Sequence, residues 1–120
     1  MSYDLAVWRS EIPYTDQEAG ETYVALCEDN DSAFERCRAI QLFYEELTLI
    51  YPEIDSLSDE DTDDTDLCPW SNEIDRYAGA LILCCVYSKS ETVHQKVLEL
   101  AEKHQLSVFD PQIGKVTHFK

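Results

Sequence analysis

A near-continuous apolar run, Tyr77 to Tyr87, constrains the fold of this 120-residue chain more than any other feature. Its 11 residues are too few to cross a bilayer as a helix, but they suit a strand that is covered on both faces of a sheet. The run therefore predicts a central strand. Helices on a single face would be the simplest arrangement, whereas the apolar character of this strand indicates that both faces are covered.

Hydrophobic periodicity predicts the elements on either side of this run. Alternation over Tyr3–Trp8 predicts a first strand, and the last 15 residues contain two short strands around a turn with Pro111 and Gly114. Three helices are predicted to begin at capping boxes. The boxes are Thr15 with Glu18, Ser32 with Glu35, and Ser88 with Glu91.

We therefore expect one α/β (α+β) domain over residues 1–120, with a single sheet of about four strands, three helices and the order β-α-α-β-α-β-β. A chain of this length buries about two-thirds of its unfolded surface, which is enough for one core but not for two.

The charge of the chain is concentrated in its first part. The formal net charge is −16, and residues 1–75 carry 21 Asp and Glu against three Arg. From Ala39 to Asp75 there are twelve carboxylates and no Lys or Arg. Because phosphate contacts need clustered basic residues, this excess argues against a general nucleic-acid binder and against an anionic membrane surface. It favours a basic protein partner.

The most acidic stretch is expected to form a long exposed loop at 53–72. Eight of the 14 residues from Glu53 to Asp66 are acidic, and no apolar period anchors them to a core. Cys68-Pro69-Trp70 is expected to attach the end of the loop to the body. The segment from Asp59 resembles a calcium loop only superficially, because Asp64 stands where such a loop needs Gly and Trp70 where it needs Glu.

Motifs for catalysis are missing from the sequence. There is no phosphate-binding glycine loop, no nucleophile elbow and no HExxH pair, and the three His are badly spaced for a metal. The five Cys are odd in number and lack CxxC spacing, so we expect buried thiols in a reducing cytosol. The opening Met1-Ser2-Tyr3-Asp4 shows no secretory pattern. We expect a cytoplasmic protein with no catalytic residues, no cofactor and no metal site.

Four segments of the chain resemble small bacterial immunity proteins of polymorphic-toxin and contact-dependent secretion loci. The segments are Tyr3-Asp4-Leu5-Ala6-Val7-Trp8, Phe43-Tyr44-Glu45-Glu46-Leu47 with Tyr51-Pro52, Pro69-Trp70-Ser71, and Leu100-Ala101 through Val108-Phe109-Asp110-Pro111-Gln112. These motifs are structural rather than catalytic. The resemblance implies a cytoplasmic inhibitor of a cognate toxin, and the acidic loop is not part of it.

Two hypotheses follow from these observations. The first is an immunity protein that binds and neutralises a basic toxin domain. Its predicted contact residues are Asp59, Glu60, Asp61, Asp63, Asp64 and Asp66, with Glu45 and Glu46 as further acidic contacts and Trp70 or Trp8 as aromatic anchors if they are exposed. The alternative is a small acidic enzyme or metal-dependent regulator that uses the acidic loop or a cysteine.

Overall fold

The helices and strands follow the chain in the predicted order, with one additional strand and one additional short helix. They are β1 Ser2–Trp8, α1 Asp16–Cys27, α2 Arg38–Ile50, α3 Asp59–Thr62, β2 Asp75–Tyr77, β3 Ala80–Val86, α4 Ser90–His104, β4 Ser107–Asp110 and β5 Lys115–His118. This computed structural model describes residues 2–32, 34–65 and 67–119, and only the backbone of residues 2, 55, 59 and 62.

One sheet organises the domain, with the strand order β2-β3-β1-β4-β5. Every neighbouring pair is antiparallel. The apolar run at 77–87 does not form a single strand, because Tyr77 ends β2 and the chain turns through Gly79, whose φ is +66°. This hairpin gives the sheet five strands rather than about four, and it places β1 rather than the apolar run at the centre.

Helices cover both faces of the sheet, so the simplest one-face arrangement is wrong and the two-face indication is confirmed. The alternating side chains of β1 show the division: Leu5 and Val7 belong to one core cluster, and Ala6 and Trp8 belong to the other. The first cluster is covered by α2 and α4, and the second by α1. Each strand face is therefore buried by a different part of the chain.

Of the three predicted capping boxes, only the first forms. The Glu18 amide donates to Thr15 Oγ1 at 3.1 Å, and the Thr15 amide donates to Glu18 Oε1 at 2.9 Å. Ser32 instead donates its hydroxyl to Asn30 Oδ1 at 2.8 Å, and α2 begins only after this turn. Ser88 lies in a 3₁₀ turn that precedes α4. The failure at Ser32 reflects the tendency of Ser to form local turns as well as helix starts.

The turn between β2 and β3 packs closely against the loop that joins α1 to α2. A Cβ atom on Gly79 would lie 2.3 Å from the carbonyl oxygen of Glu35, a distance that no real contact allows. Next to it, the Ala78 amide donates to Asp31 Oδ2 at 3.0 Å. The missing side chain of Gly79 therefore lets two backbone segments meet.

Replacing Gly79 with Ala is expected to lower the free energy of unfolding by about 2 kcal/mol or more, because a left-handed backbone conformation and an atomic overlap add together. Gly114→Ala is the matched control: φ there is +65°, but nothing lies within 4 Å of the added Cβ. That control should cost about 1 kcal/mol. Urea denaturation measures both, and equal losses would show that the approach to Glu35 is unimportant.

Candidate functional site

The acidic segment at 53–72 is folded, although the sequence indicates a loop without anchors. It contains a 3₁₀ turn at Ile54–Ser56 and the short helix α3, where Ser58 Oγ accepts a hydrogen bond from the Asp61 amide at 3.3 Å. Ile54 and Leu57 are half-buried and pack against the core cluster under α2 and α4. The expectation that nothing in this segment contacts the core is therefore wrong. Isolated apolar side chains anchor the segment, although they do not recur at helical or strand spacing.

Glu53 ties the start of the segment to residues beyond its end. Its Oε2 accepts a hydrogen bond from the Tyr44 hydroxyl on α2, and its Oε1 accepts one from the Ile74 amide at 3.0 Å. Burial and the hydrogen bond to Glu53 raise the pKa of Tyr44, so its hydroxyl stays protonated and keeps donating. One carboxylate therefore holds together two parts of the chain that are 21 residues apart.

Trp70 closes the other end of the segment. Its indole Nε1 donates to the Tyr51 carbonyl oxygen at 2.9 Å, and its backbone forms an antiparallel bridge with Cys85 in β3. The Val86 amide donates to the Pro69 carbonyl oxygen at 2.7 Å beside this bridge. The prediction that Cys68-Pro69-Trp70 attaches the loop to the body is confirmed. We call these contacts, together with those of Glu53, the two clamps of the acidic segment.

The two tryptophans are not exposed anchors. The side chain of Trp70 is 4% exposed and that of Trp8 is 0% exposed. Both rings are used inside the domain, Trp70 against Tyr51 and Trp8 between Tyr14 and Phe34. Trp70 and Trp8 are predicted to anchor a partner only if they are exposed, and neither is. A large aromatic ring is equally suited to a buried core.

A group of exposed carboxylates lies between the two clamps. Glu60, Asp61, Asp63 and Asp64 are exposed, whereas Asp66 and the side chain of Asp59 lie outside the described residues. Within the described chain, Glu60, Asp61 and Asp63 form no ion pair. Their charge is therefore available to solvent or to a partner.

The two predicted acidic contacts on α2 differ. Glu45 is exposed. Glu46 pairs with Lys103 on α4 at 2.9 Å and lies 3.1 Å from His104 Nε2, and the Lys103 hydrogen bond lowers the pKa of its carboxyl. Because Glu46 already forms an ion pair with Lys103, it is a weaker candidate for a partner contact than Glu45.

Two exposed apolar side chains at the end of α2 are not among the residues that the sequence predicts as partner contacts. Leu49 is 83% exposed and Ile50 is 42% exposed, immediately before the acidic segment. Leu49 follows Glu45 by four residues, so the two share the outer face of the helix. The sequence indicates this exposure, because Leu49 does not lie on the buried face of α2, which contains Phe43 and Leu47. An apolar residue on the solvent side of a helix is a candidate contact.

Two hydrogen-bonded groups contain side chains that are common in catalytic sites, but each group has a buried member, Ser107 in one and Asp110 in the other. Ser107 Oγ lies 2.8 Å from His118 Nδ1, yet Ser107 is 1% exposed. Tyr3 donates to Asp110 Oδ2 at 2.5 Å and lies 3.2 Å from His94 Nδ1. Burial and the Asp110 bond raise the pKa of Tyr3, which keeps the phenol neutral. Asp110 therefore links β1 to the turn after β4 by hydrogen bonds.

The five cysteines are free thiols, but they are not uniformly buried as expected. Cys68 and Cys85 are buried, while Cys27, at the end of α1, is exposed. Cys84 and Cys85 belong to opposite faces of β3, as predicted. Burial raises the pKa of Cys84 to about 12 and that of Cys85 to about 11. Both therefore remain thiols, which are poor nucleophiles.

No match to this chain was found among protein-family models, curated proteins or solved structures. In the described part of the chain, no three His, Cys, Asp or Glu side chains are grouped so that they could hold a metal ion. The described helices also include none that is long and apolar enough to cross a membrane.

Alkylation of the native protein should separate the cysteines by exposure. Iodoacetamide at neutral pH is expected to modify Cys27 first and to leave Cys85 unmodified until the protein unfolds, because attack needs both access and a thiolate. Mass spectrometry of timed digests measures the order. Early modification of Cys85 in folded protein would contradict its buried, protonated state.

Proposed function

We propose that this chain is an immunity protein that binds a cognate basic toxin domain in the bacterial cytoplasm and neutralises it. The observation that carries the proposal is the acidic segment held at both ends, with Glu60, Asp61 and Asp63 exposed and without ion pairs among the described residues. The resemblance of four segments to immunity proteins of toxin loci supports the same function.

A clamped acidic segment has two physical advantages over a loose one. Clustered carboxylates attract a cationic surface at long range and so raise the association rate. A segment whose ends are fixed by Glu53 and Trp70 loses less conformational entropy when a partner orders it. Nuclease domains and other domains that act on nucleotides are commonly cationic around their active sites, and a carboxylate surface would compete with their substrate.

The apolar centre of the proposed contact surface is Leu49 with Ile50, in place of the buried Trp70 and Trp8. Interfaces concentrate their binding energy in a few apolar or aromatic side chains surrounded by polar residues. Leu49 and Ile50 have Glu45 on the same helix and the acidic segment directly after them. We therefore assign Leu49, Ile50, Glu45 and the exposed carboxylates of the segment to one contact surface.

The alternative, a small enzyme or metal-dependent regulator, has less support from the geometry. Its cysteine version would need a reactive thiolate, and the pKa of both Cys84 and Cys85 is raised. Its metal version would use the acidic segment, whose exposed side chains point to a solvated surface rather than a dry coordination site.

Co-expression tests the proposal directly. The chain is produced together with the C-terminal domain of a toxin encoded by the adjacent gene, and growth and co-purification are measured. Rescue of growth together with a stable complex is the expected result. Absence of both, with the chain folded and soluble, would rule out the immunity function for that pair.

Neutralising the acidic segment should slow association. The variant Glu60→Gln, Asp61→Asn, Asp63→Asn removes three charges from exposed positions, so the stability of the fold should change little. The association rate at low salt should fall by about ten-fold, since steering accounts for 10- to 1,000-fold in such pairs. Stopped-flow binding over a salt series measures it, because screening removes the effect when the Debye length shrinks to about 8 Å.

The matched control removes the same charge elsewhere. Glu28, Glu91 and Glu102 are exposed on other parts of the surface, and their change to Gln also removes three negative charges. If this control slows association as much as the segment variant, net charge matters and the segment does not.

Leu49→Ser should weaken the complex through faster dissociation, because an apolar anchor holds the bound state rather than guiding the encounter. We expect a loss of about ten-fold in affinity, and an unchanged melting temperature because Leu49 is 83% exposed. Ile113→Ser is the control, since Ile113 is 64% exposed in the turn before β5. Surface plasmon resonance of both variants with the toxin domain measures the rates, and equal losses would contradict the assignment of Leu49.

A further inference from the structure

All four arginines of this acidic chain line one pair of adjoining surface clefts. The first cleft, of about 590 Å³, is lined by Arg36 and Arg76. The second, of about 640 Å³, is lined by Arg9, Arg36 and Arg38. Arg36 and Cys37 belong to both. We call the two together the arginine cleft, and each of them has the volume of a small-molecule site.

The arginines are not used to neutralise the acidic residues of the molecule. Among the described residues, no arginine takes part in an ion pair, whereas Lys96, Lys103 and His104 do. The chain contains 25 Asp and Glu, so partners are abundant. Three carboxylates, those of Glu11, Asp31 and Glu35, line the same cleft but lie outside ion-pair distance. The guanidinium groups of Arg36 and Arg38 therefore form no ion pair in this concave site, whereas that of Arg76 interacts with Tyr44.

The cleft also contains the N-terminal end of α2. The first turn of this helix has no acidic residue, and Cys37 at its cap makes no side-chain bond to it. The amides of Arg38, Ala39 and Ile40 have no acceptor among the described residues. Arginines at this end of a helix add positive charge where the helix dipole is already positive. Such an arrangement is unfavourable until an anion occupies it.

The walls of the cleft are held in place before any ligand binds. Phe34 is buried against Trp8, and Glu35 meets the turn at Gly79, so the chain immediately before Arg36 is fixed. In the first cleft, the Arg76 guanidinium lies 4.2 Å from the ring centre of Tyr44. Held side chains and a fixed backbone reduce the entropy lost on binding.

We propose that the arginine cleft binds a small aromatic phosphate monoester. The phosphate would lie between Arg36, Arg38 and the free amides of α2, and the ester group beside the tyrosines of the first cleft. This site is separate from the proposed toxin contact, and it stands or falls independently of the immunity function.

The number of donors distinguishes phosphate from carboxylate. Each guanidinium offers a fork of parallel N–H groups, and α2 adds three amides. A carboxylate has two oxygens to accept them, whereas a phosphate monoester has three terminal oxygens and a second charge. The cleft is much larger than a phosphate ion, and the rest of its lining includes Tyr44, Tyr77 and the apolar side chains of Ile40 and Leu81. This lining suits a planar ring.

Calorimetric titration of the full chain tests the proposal with three probes at about 0.15 M salt, where distant acidic residues are screened. The probes are phenyl phosphate, inorganic phosphate and benzoate. We expect saturable binding of one phenyl phosphate per chain, with weaker binding of the other two. Absence of phenyl phosphate binding would overturn the proposal. Benzoate binding as tightly would overturn the phosphate assignment, and inorganic phosphate binding as tightly would overturn the ester assignment.

Variants locate the site. Arg36→Gln with Arg38→Gln should weaken phenyl phosphate binding by about ten-fold or more, because charge-assisted bonds are lost. Both side chains are exposed and without ion pairs, so the melting temperature without ligand should not fall. Arg36→Lys, which keeps the charge but loses the fork, should give an intermediate loss.

The control variant, Lys96→Gln with Lys115→Gln, removes two positive charges outside the cleft and should bind phenyl phosphate as the parent does. Equal weakening in the control and in the Arg36 and Arg38 variant would mean that net charge governs binding, and the cleft would then not be the site. The toxin contact is unaffected by this result, since the variants leave Leu49 and the acidic segment intact.

Discussion

The burial of β1 on both of its faces is the constraint on which the rest of the domain depends. Leu5 and Val7 face the layer made by α2 and α4, while Ala6 and Trp8 face the layer made by α1. The same strand is paired along both edges, with β3 and with β4. Because a two-faced strand has no side open to solvent, the chain needs helices on both sides of the sheet.

The fold could be predicted where the pattern is periodic and could not where it depends on a close contact. The alternation in Tyr3–Trp8 and the spacing in α4 are local, so the sequence predicts both elements and their order. The division of the apolar run into β2 and β3 depends on Gly79 meeting Glu35, which are far apart in the chain. The start of α2 also escapes prediction, because Ser32 forms a turn with Asn30 instead of a cap.

The same distinction applies to the candidate site. The carboxylates of the acidic segment are visible in the sequence, because charge density is a local property. Their presentation is not, since it depends on Glu53 reaching Ile74 and on Trp70 reaching Tyr51. The arginine cleft is hidden for the same reason. Arg9, Arg36 and Arg76 are scattered along the chain, and only the fold brings them to one place.

Because the clamps at Glu53 and Trp70 hold the two ends of the acidic segment, its exposed middle part can be replaced. Glu53 fixes the start of the segment to α2 and to Ile74, and Trp70 fixes its end to Tyr51 and to β3. The entropy of closing a loop grows only slowly with its length. Substitutions, insertions and deletions between Leu57 and Cys68, two residues that contact the core, can therefore accumulate while the sheet stays folded. A chain built in this way can acquire a new binding specificity by exchanging one short segment, at little risk to the rest of the molecule.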